Sequence, residues 1–197
     1  MEKTILASMA LVVGLGVSSA STAQSVFVSA EMDGTWDPLI IAPTGTTLTA
    51  HIYADIDDTH GGLIGWGVEA PYANSTLQDP CCEFDPFFNL PATPDTSTLG
   101  VVNMTAGRIG VGGVSGSAIY LGNYSVVMDN ESSWILLLDN IFPNDPNFDG
   151  FVAADGFVYD DTIDFLPSQV NVPIPAAAWL FGSGLLGLIG IARKKAA

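Results

Sequence analysis

Two groups of acidic residues have the composition of cation sites. Asp145-Pro146-Asn147-Phe148-Asp149-Gly150 follows the pattern D-x-N-x-D-G, in which alternate side-chain oxygens converge on one calcium ion and the glycine permits a sharp turn. Asp145, Asn147 and Asp149 are the candidate ligands, with Asp155 the carboxylate nearest the closing position. A full loop of this kind ends in a bidentate carboxylate at its twelfth place, which here is Gly156. Pro146 is an unusual occupant and no flanking helical period is evident, so an acidic surface turn accounts for the same residues. Asp55, Asp57 and Asp58 form a second such group at the end of an alternating stretch.

Cys81 and Cys82 are adjacent and are the only cysteines. Their Cα atoms must lie about 3.8 Å apart across a trans peptide, below the usual disulfide range, so a bridge between them closes a strained vicinal ring. An interchain bridge and two free thiols are the alternatives. No CxxC or Cys/His cluster points to zinc or a redox motif. His51 and His60 are the only histidines, and neither GxSxG nor HExxH occurs. The Gly-rich stretch 107–117 has no following Lys and is no phosphate loop. The reading is non-enzymatic. A paired-carboxylate glycosidase is the enzyme class that so many acids would permit.

Charge narrows the partners. The 197 residues hold 21 acidic and 5 basic side chains, and between Gln24 and Val172 the one cation is Arg108. That stretch repels phosphate, which excludes nucleic acid and an anionic lipid surface as ligands. With 48% apolar residues the chain is no disordered acidic tail.

The two ends read as addresses. Residues 1–23 have the parts of a signal peptide: Lys3, an apolar core from Ile5 to Val17, and Ser21-Thr22-Ala23 before a cleavage at Gln24. At the other end Ala176–Ala192 is a 17-residue uncharged run, long enough to span about 25 Å as a helix. Arg193, Lys194 and Lys195 follow as a basic stop that holds the C-terminus in the cytoplasm and leaves the main domain outside.

Val172-Pro173-Ile174-Pro175-Ala176, then the helix with Trp179 and Gly182-Ser183-Gly184, then Arg193-Lys194-Lys195, resembles the PEP-CTERM sorting signal in its VPLPA-type variant. The resemblance covers residues 172–197. It implies an exported protein of a Gram-negative bacterium, held in the inner membrane as a precursor and processed near the box by an exosortase, a cysteine transpeptidase-like membrane enzyme. Cell surface or extracellular matrix is then the destination. Ile174 stands where the commonest form has Glu, and the scissile bond stays unassigned. Pro173 and Pro175 keep the box out of the helix.

Residues 24–171 read as one all-β domain. Thr47–Ile56 alternates strictly, with Leu48, Ala50, Ile52, Ala54 and Ile56 on the apolar face. Ile64, Trp66, Val68 and Ala70 repeat the pattern after an Asp- and Gly-rich turn, so the two strands are expected as neighbours. Further strands are expected at 26–30, 38–41, 101–105, 117–121, 124–128, 134–138, 157–159, 163–165 and 169–172, with 134–138 central because it is continuously apolar. Many short strands with turns between them predict a single β-sandwich, immunoglobulin-like in its pattern. The alternating strand ending in Asp, the Gly-containing turn and Ile64-Gly65-Trp66-Gly67-Val68 resemble the cohesin-like sandwiches of some exported proteins. The function that follows is a non-catalytic surface or matrix protein needing no cofactor. A calcium- or polysaccharide-binding adhesion module, with exopolysaccharide or matrix partners, is the alternative.

Overall fold

The structure is a computed structural model and describes residues 24–90, 94–110, 112–135, 150–159, 162–166 and 168–172. Residues 1–23, expected as a signal peptide, the apolar run 176–192 and the basic residues 193–195, expected as its stop, lie outside the described residues. No helix among the described residues is long and apolar enough to cross a membrane.

Every element among the described residues is a strand: β1 (Ser25–Ser29), β2 (Leu39–Ile41), β3 (Thr47–Ile56), β4 (Leu63–Ala73), β5 (Ser75–Phe84), β6 (Val101–Gly107), β7 (Gly116–Met128), β8 (Trp134–Ile135), β9 (Phe151–Ala153), β10 (Asp164–Phe165) and β11 (Gln169–Asn171). One sheet runs β10-β1-β3-β7-β5. In the other, β4 is central, with β6 along one edge and β9 and β8 along the opposite edge. A parallel ribbon of β2 and β11 closes the side. The expected all-β sandwich is what forms, because both sheets have one apolar face to bury. Ala50, Ile52, Ala54, Val126 and Met128 come from the first sheet and Trp66, Val68, Ala70, Val102, Met104 and Phe151 from the second, in one buried cluster.

Several local expectations are overturned. β3 and β4 do not pair. β3 lies between β1 and β7, whereas β4 belongs to the other sheet, so Ile52 and Trp66 both face inward but from opposite layers. The turn between them is an inter-sheet crossing, not a hairpin. Gly61 and Gly62 supply its left-handed backbone, with φ of 75° and 80°. A Cβ on Gly62 would meet the Val114 carbonyl at 2.8 Å, so glycine is what lets the segment 113–114 pack there.

Ile64 is not a core residue. Leu63 opposes Ala153 and Gly65 opposes Val152, which leaves Ile64 as an extra residue on β4. This bulge resets the alternation, and Leu63 is fully buried while Ile64 is half-buried. The segments 117–121 and 124–128 are one strand, β7, with a second bulge between them. Of the stretch 134–138 the described part, β8, pairs with Tyr72 and Ala73 at the end of β4, with Trp134 43% exposed; residues 136–138 lie outside the described residues. Residues 157–159 form no strand beyond the bridge of Val158 to Val152.

β5 and β9 were not expected. β5 reads STLQDPCCEF, with Asp and Pro that disfavour a strand. It is an edge strand, where a missing N–H is tolerated. From Leu77↔Val126 to Cys82↔Tyr124 it gains residues over β7 and bows out around Gln78-Asp79-Pro80-Cys81. Beyond that bow Gly122 lets β5 return, since a Cβ there would overlap the Glu83 carbonyl oxygen.

Candidate functional site

The outer face of the five-stranded sheet carries polar and aromatic side chains in rows set by strand register. Phe27, Tyr53 and Tyr120 lie opposite one another on β1, β3 and β7, with ring centroids 5.7 Å and 5.4 Å apart. The next row is Ser29, His51, Asn123 and Glu83 on β1, β3, β7 and β5. Thr49 and Ser125 follow, their hydroxyls 2.8 Å apart. Strict alternation would put Tyr120 and Asn123 on opposite faces of β7. The bulge opposite the Ile52–Tyr53 step brings them to the same face.

Asn123 organises this face. Its side-chain amide donates to Tyr120 Oη at 2.8 Å and to Glu83 Oε2 at 3.2 Å. The Tyr120 ring stands 6.0 Å from the His51 ring. The loop after β1 folds back over the Phe27–Tyr53 end. Asp37 accepts from the Ala30 N–H at 2.8 Å, and Gly34 packs against Ala118 and Tyr53. Met32 and Trp36 of that loop stay exposed. Burial raises the Tyr53 and Tyr120 phenols above their usual range, so both remain hydrogen-bonding hydroxyls.

Burial lowers the His51 imidazole below its usual value, against an opposing pull from Glu83. The Nδ1 atom is buried with no hydrogen-bond partner. The fold thus favours neutral His51, while the unfolded chain takes up a proton near its ordinary value of about 6.5. This contribution to stability is complete above about pH 6.5 and is lost as pH falls through the lower folded-state value. His51→Gln should therefore flatten the fall of the urea midpoint between about pH 7 and 5. An unchanged slope in the variant would show that His51 titrates as it does in water.

A second cluster stands at one end of the sandwich. The His60 Nδ1–H donates to Asp155 Oδ2 at 2.9 Å, and the ring stacks on Phe157 at 3.8 Å with planes 4° apart. Tyr159 meets both rings edge-on. The pair clips the β3–β4 crossing to the turn after β9. Its hydrogen bond from His60 and the Phe157 N–H hold the Asp155 carboxyl below the usual carboxylate range. Among the described residues the side-chain partner of His60 is the Asp155 carboxylate.

No family model matches the chain, and no curated protein does. Solved structures do match. The sixth cohesin of scaffoldin B from Acetivibrio cellulolyticus, crystallised with a Cel5 dockerin, superposes with a TM-score of 0.53 at 8% identity, over 77% of this chain and 100% of that one. The seventh ScaB type I cohesin from Pseudobacteroides cellulosolvens gives 0.52 at 11% identity, over 76% and 92%. The cohesin of a Coh-OlpA–Doc918 complex from Clostridium thermocellum gives 0.52 at 8%, over 77% and 99%.

The fold is cohesin-like.

Within the cohesin-like sandwich the residues singled out from sequence scatter. Asp145, Asn147 and Asp149 lie outside the described residues. Asp155 pairs with His60, and the extended strand β9 stands between it and Gly150. Asp55, Asp57 and Asp58 do not converge. Asp55 accepts from Ser25 Oγ and from the N–H of Ala118, which has φ of 52°. Asp57 accepts from the Thr59 N–H, and Asp58 from Ser115 Oγ. No group of three metal-binding side chains forms among the described residues.

Cys81 and Cys82 are joined by a disulfide, with S–S 2.09 Å. The ring sits on the bow of β5 and lines a shallow recess of about 480 Å³ with Leu77, Asp79, Pro80 and Pro94. Of the residues expected to form a sorting signal, Val172 is described and buried; Pro173, Ile174, Pro175, Ala176, Arg193, Lys194 and Lys195 lie outside the described residues. The sequence missed the outer face because Glu83 belongs to an unexpected strand and Asn123 to an unexpected bulge. The signal on hand was the polar half of β3, Thr49-His51-Tyr53, which alternation had already set outward.

Proposed function

We propose that the chain is a non-catalytic exported protein of a Gram-negative bacterium, sorted by an exosortase to the cell surface or extracellular matrix, and that its cohesin-like sandwich is a protein-binding or adhesion module. The observation that carries this reading is the junction of the two parts. The last strand, β11, ends at Asn171, and the chain then enters the Val172–Ala176 box with its apolar run and basic stop. An exported module on a removable membrane anchor has this layout.

The solved neighbours crystallised with dockerins hold a protein partner, which supports protein binding for this sandwich. The face built on Tyr120, His51, Asn123 and Glu83 is the candidate surface, since a partly desolvated aromatic and amide set suits a protein hot spot. A strongly acidic domain favours a partner with a basic or neutral contact patch. Exopolysaccharide and matrix components are the setting in which such a module works.

Mass spectrometry of the mature protein from the native host tests the sorting. The expected C-terminus lies near the box, with Trp179 to Lys195 gone. Mature protein that still carries Trp179 to Lys195 would refute it. Deleting Arg193, Lys194 and Lys195 should leave precursor unprocessed or misoriented.

A further inference from the structure

We infer that in the anchored precursor the β2–β11 side of the sandwich rests on the bilayer, with Leu39, Ile41 and Trp134 set into a zwitterionic lipid interface. This rests on the sorting reading above, in which 176–192 is a membrane anchor, and adds how the domain is seated on that membrane.

Three exposed apolar side chains gather where the chain leaves the domain. Leu39 and Ile41 are 51% and 64% exposed, while Ile40 between them is 3% exposed and packs inward. Alternation along an extended strand puts Leu39 and Ile41 on one face. β11 runs parallel beside them, in the register Gln169↔Leu39 and Asn171↔Ile41. Ile41 therefore stands one strand spacing, about 4.8 Å, from the last residue of the last strand. Trp134 of β8 is 43% exposed and faces Leu39 and Val170 across a shallow recess.

Two observations say what covers this face. The first is the length of the tether. Val172 is 5% exposed and lies in the core cluster with Ile40 and Ala42, so the domain holds the chain to that point. Three residues, Pro173 to Pro175, separate it from the uncharged run that begins at Ala176. The four Cα steps from Val172 to Ala176 cover at most about 14 Å at full extension. The run spans about 25 Å as a helix, less than the hydrocarbon core of about 30 Å, so Ala176 is drawn to the edge of that core. The headgroup layer that the tether must then cross is about 5–8 Å deep. The exit side of the domain is thus kept within several ångströms of the headgroups.

The second observation is charge. In a strongly acidic domain, no carboxylate lies between Asp37 and Asp55, a stretch that includes β2 and the exposed turn 43–47. None follows Asp164. The surface at the exit is apolar or neutral, and a side free of carboxylates avoids the cost of desolvating them at a lipid interface. Tryptophan is favoured at that level, where its ring meets the acyl boundary and its N–H the headgroups. Asp129 and Glu131, just ahead of β8, stand at the rim and select zwitterionic over anionic headgroups.

Lipid-borne quenching tests the seating. The full chain with Ile41→Cys carries an environment-sensitive fluorophore and is reconstituted in phosphatidylcholine nanodiscs, with and without lipid bearing a headgroup nitroxide. Cys81 and Cys82 are bridged, so the new thiol takes the label. Ile109→Cys is the control. Ile109 is 71% exposed and equally apolar, but it follows Arg108, whose N–H donates to the Ile64 carbonyl at the opposite end of β4 from the Ala73↔Trp134 pair. The expected result is quenching several-fold stronger at position 41 than at 109. Equal quenching at both, in chains that stay with the discs, overturns the seating and leaves the anchor intact. A label at 41 that is shielded yet not quenched by the nitroxide lipid means that a second copy covers the face, and overturns it too. A chain that does not stay with the discs refutes the anchor reading, and the seating with it. Leu39→Asp with Trp134→Asp should weaken the quenching at 41 several-fold, with little change in the urea midpoint because both side chains are already exposed. Undiminished quenching in the folded double variant overturns the contact assigned to these residues.

Discussion

Trp66→Ala should destabilise the domain by about 3–5 kcal/mol, toward the lower end of that range. Trp66 is 3% exposed and packs between Phe84 and Phe88, with ring centroids 5.8 Å and 6.1 Å away. It projects from the central strand of its sheet, so its removal opens a cavity where the two layers meet, and neighbours pinned by sheet register close it poorly. Its indole Nε1 is buried without a hydrogen-bond partner. Losing that orphaned donor returns about 1–3 kcal/mol of desolvation, which is why the lower end is expected. Against a typical domain stability of about 5–15 kcal/mol the loss is large. His51→Ala, half-buried on the outer face, should cost well under half as much at pH 7. Urea unfolding of both variants decides the matter: equal losses would place Trp66 outside the core.

The second large effect tests the bulge at the start of β4. Leu63→Ala should cost about 2–5 kcal/mol and Ile64→Ala less than about 1.5 kcal/mol. Leu63 is fully buried beside Ala153, whereas Ile64 is the extra residue that β9 does not oppose. Plain alternation back from Trp66 predicts the reverse order. Chemical denaturation of the two variants separates the cases, and a larger loss in Ile64→Ala would remove the bulge from the fold.

These two neighbouring residues show where the sequence was readable. In β3 every expected inward residue is buried, because ten residues alternate without interruption and side-chain direction in a strand has period two. From Trp66 onward β4 also keeps its phase. One inserted residue then inverts the expectation at Leu63 and Ile64, and nothing in the local composition marks it. The same holds at Gly122–Asn123, where a glycine inside a continuous strand reads as a turn.

The sandwich was foreshadowed by strand count and turn spacing, since short amphipathic strands can bury their apolar faces only against another sheet, and its cohesin-like form by the resemblance carried by the Ile64–Val68 pattern. Strand order was not. Which strands share a layer depends on crossings such as 57–62, whose Asp and Gly chemistry permits a hairpin and an inter-sheet passage alike.

From the sequence by itself come the acidic charge that excludes polyanionic partners, the phase of β3, the all-β class and the expectation of an export and sorting pathway. These depend on composition, period and order along the chain, which no folding is needed to express. The tertiary structure alone decided that Asn123, Tyr120, His51 and Glu83 share one face, that His60 meets Asp155, and that Val172 is core. Each of these joins residues from different strands, and their meeting is fixed by register, bulges and sheet assignment, which are settled by the packing of the whole domain.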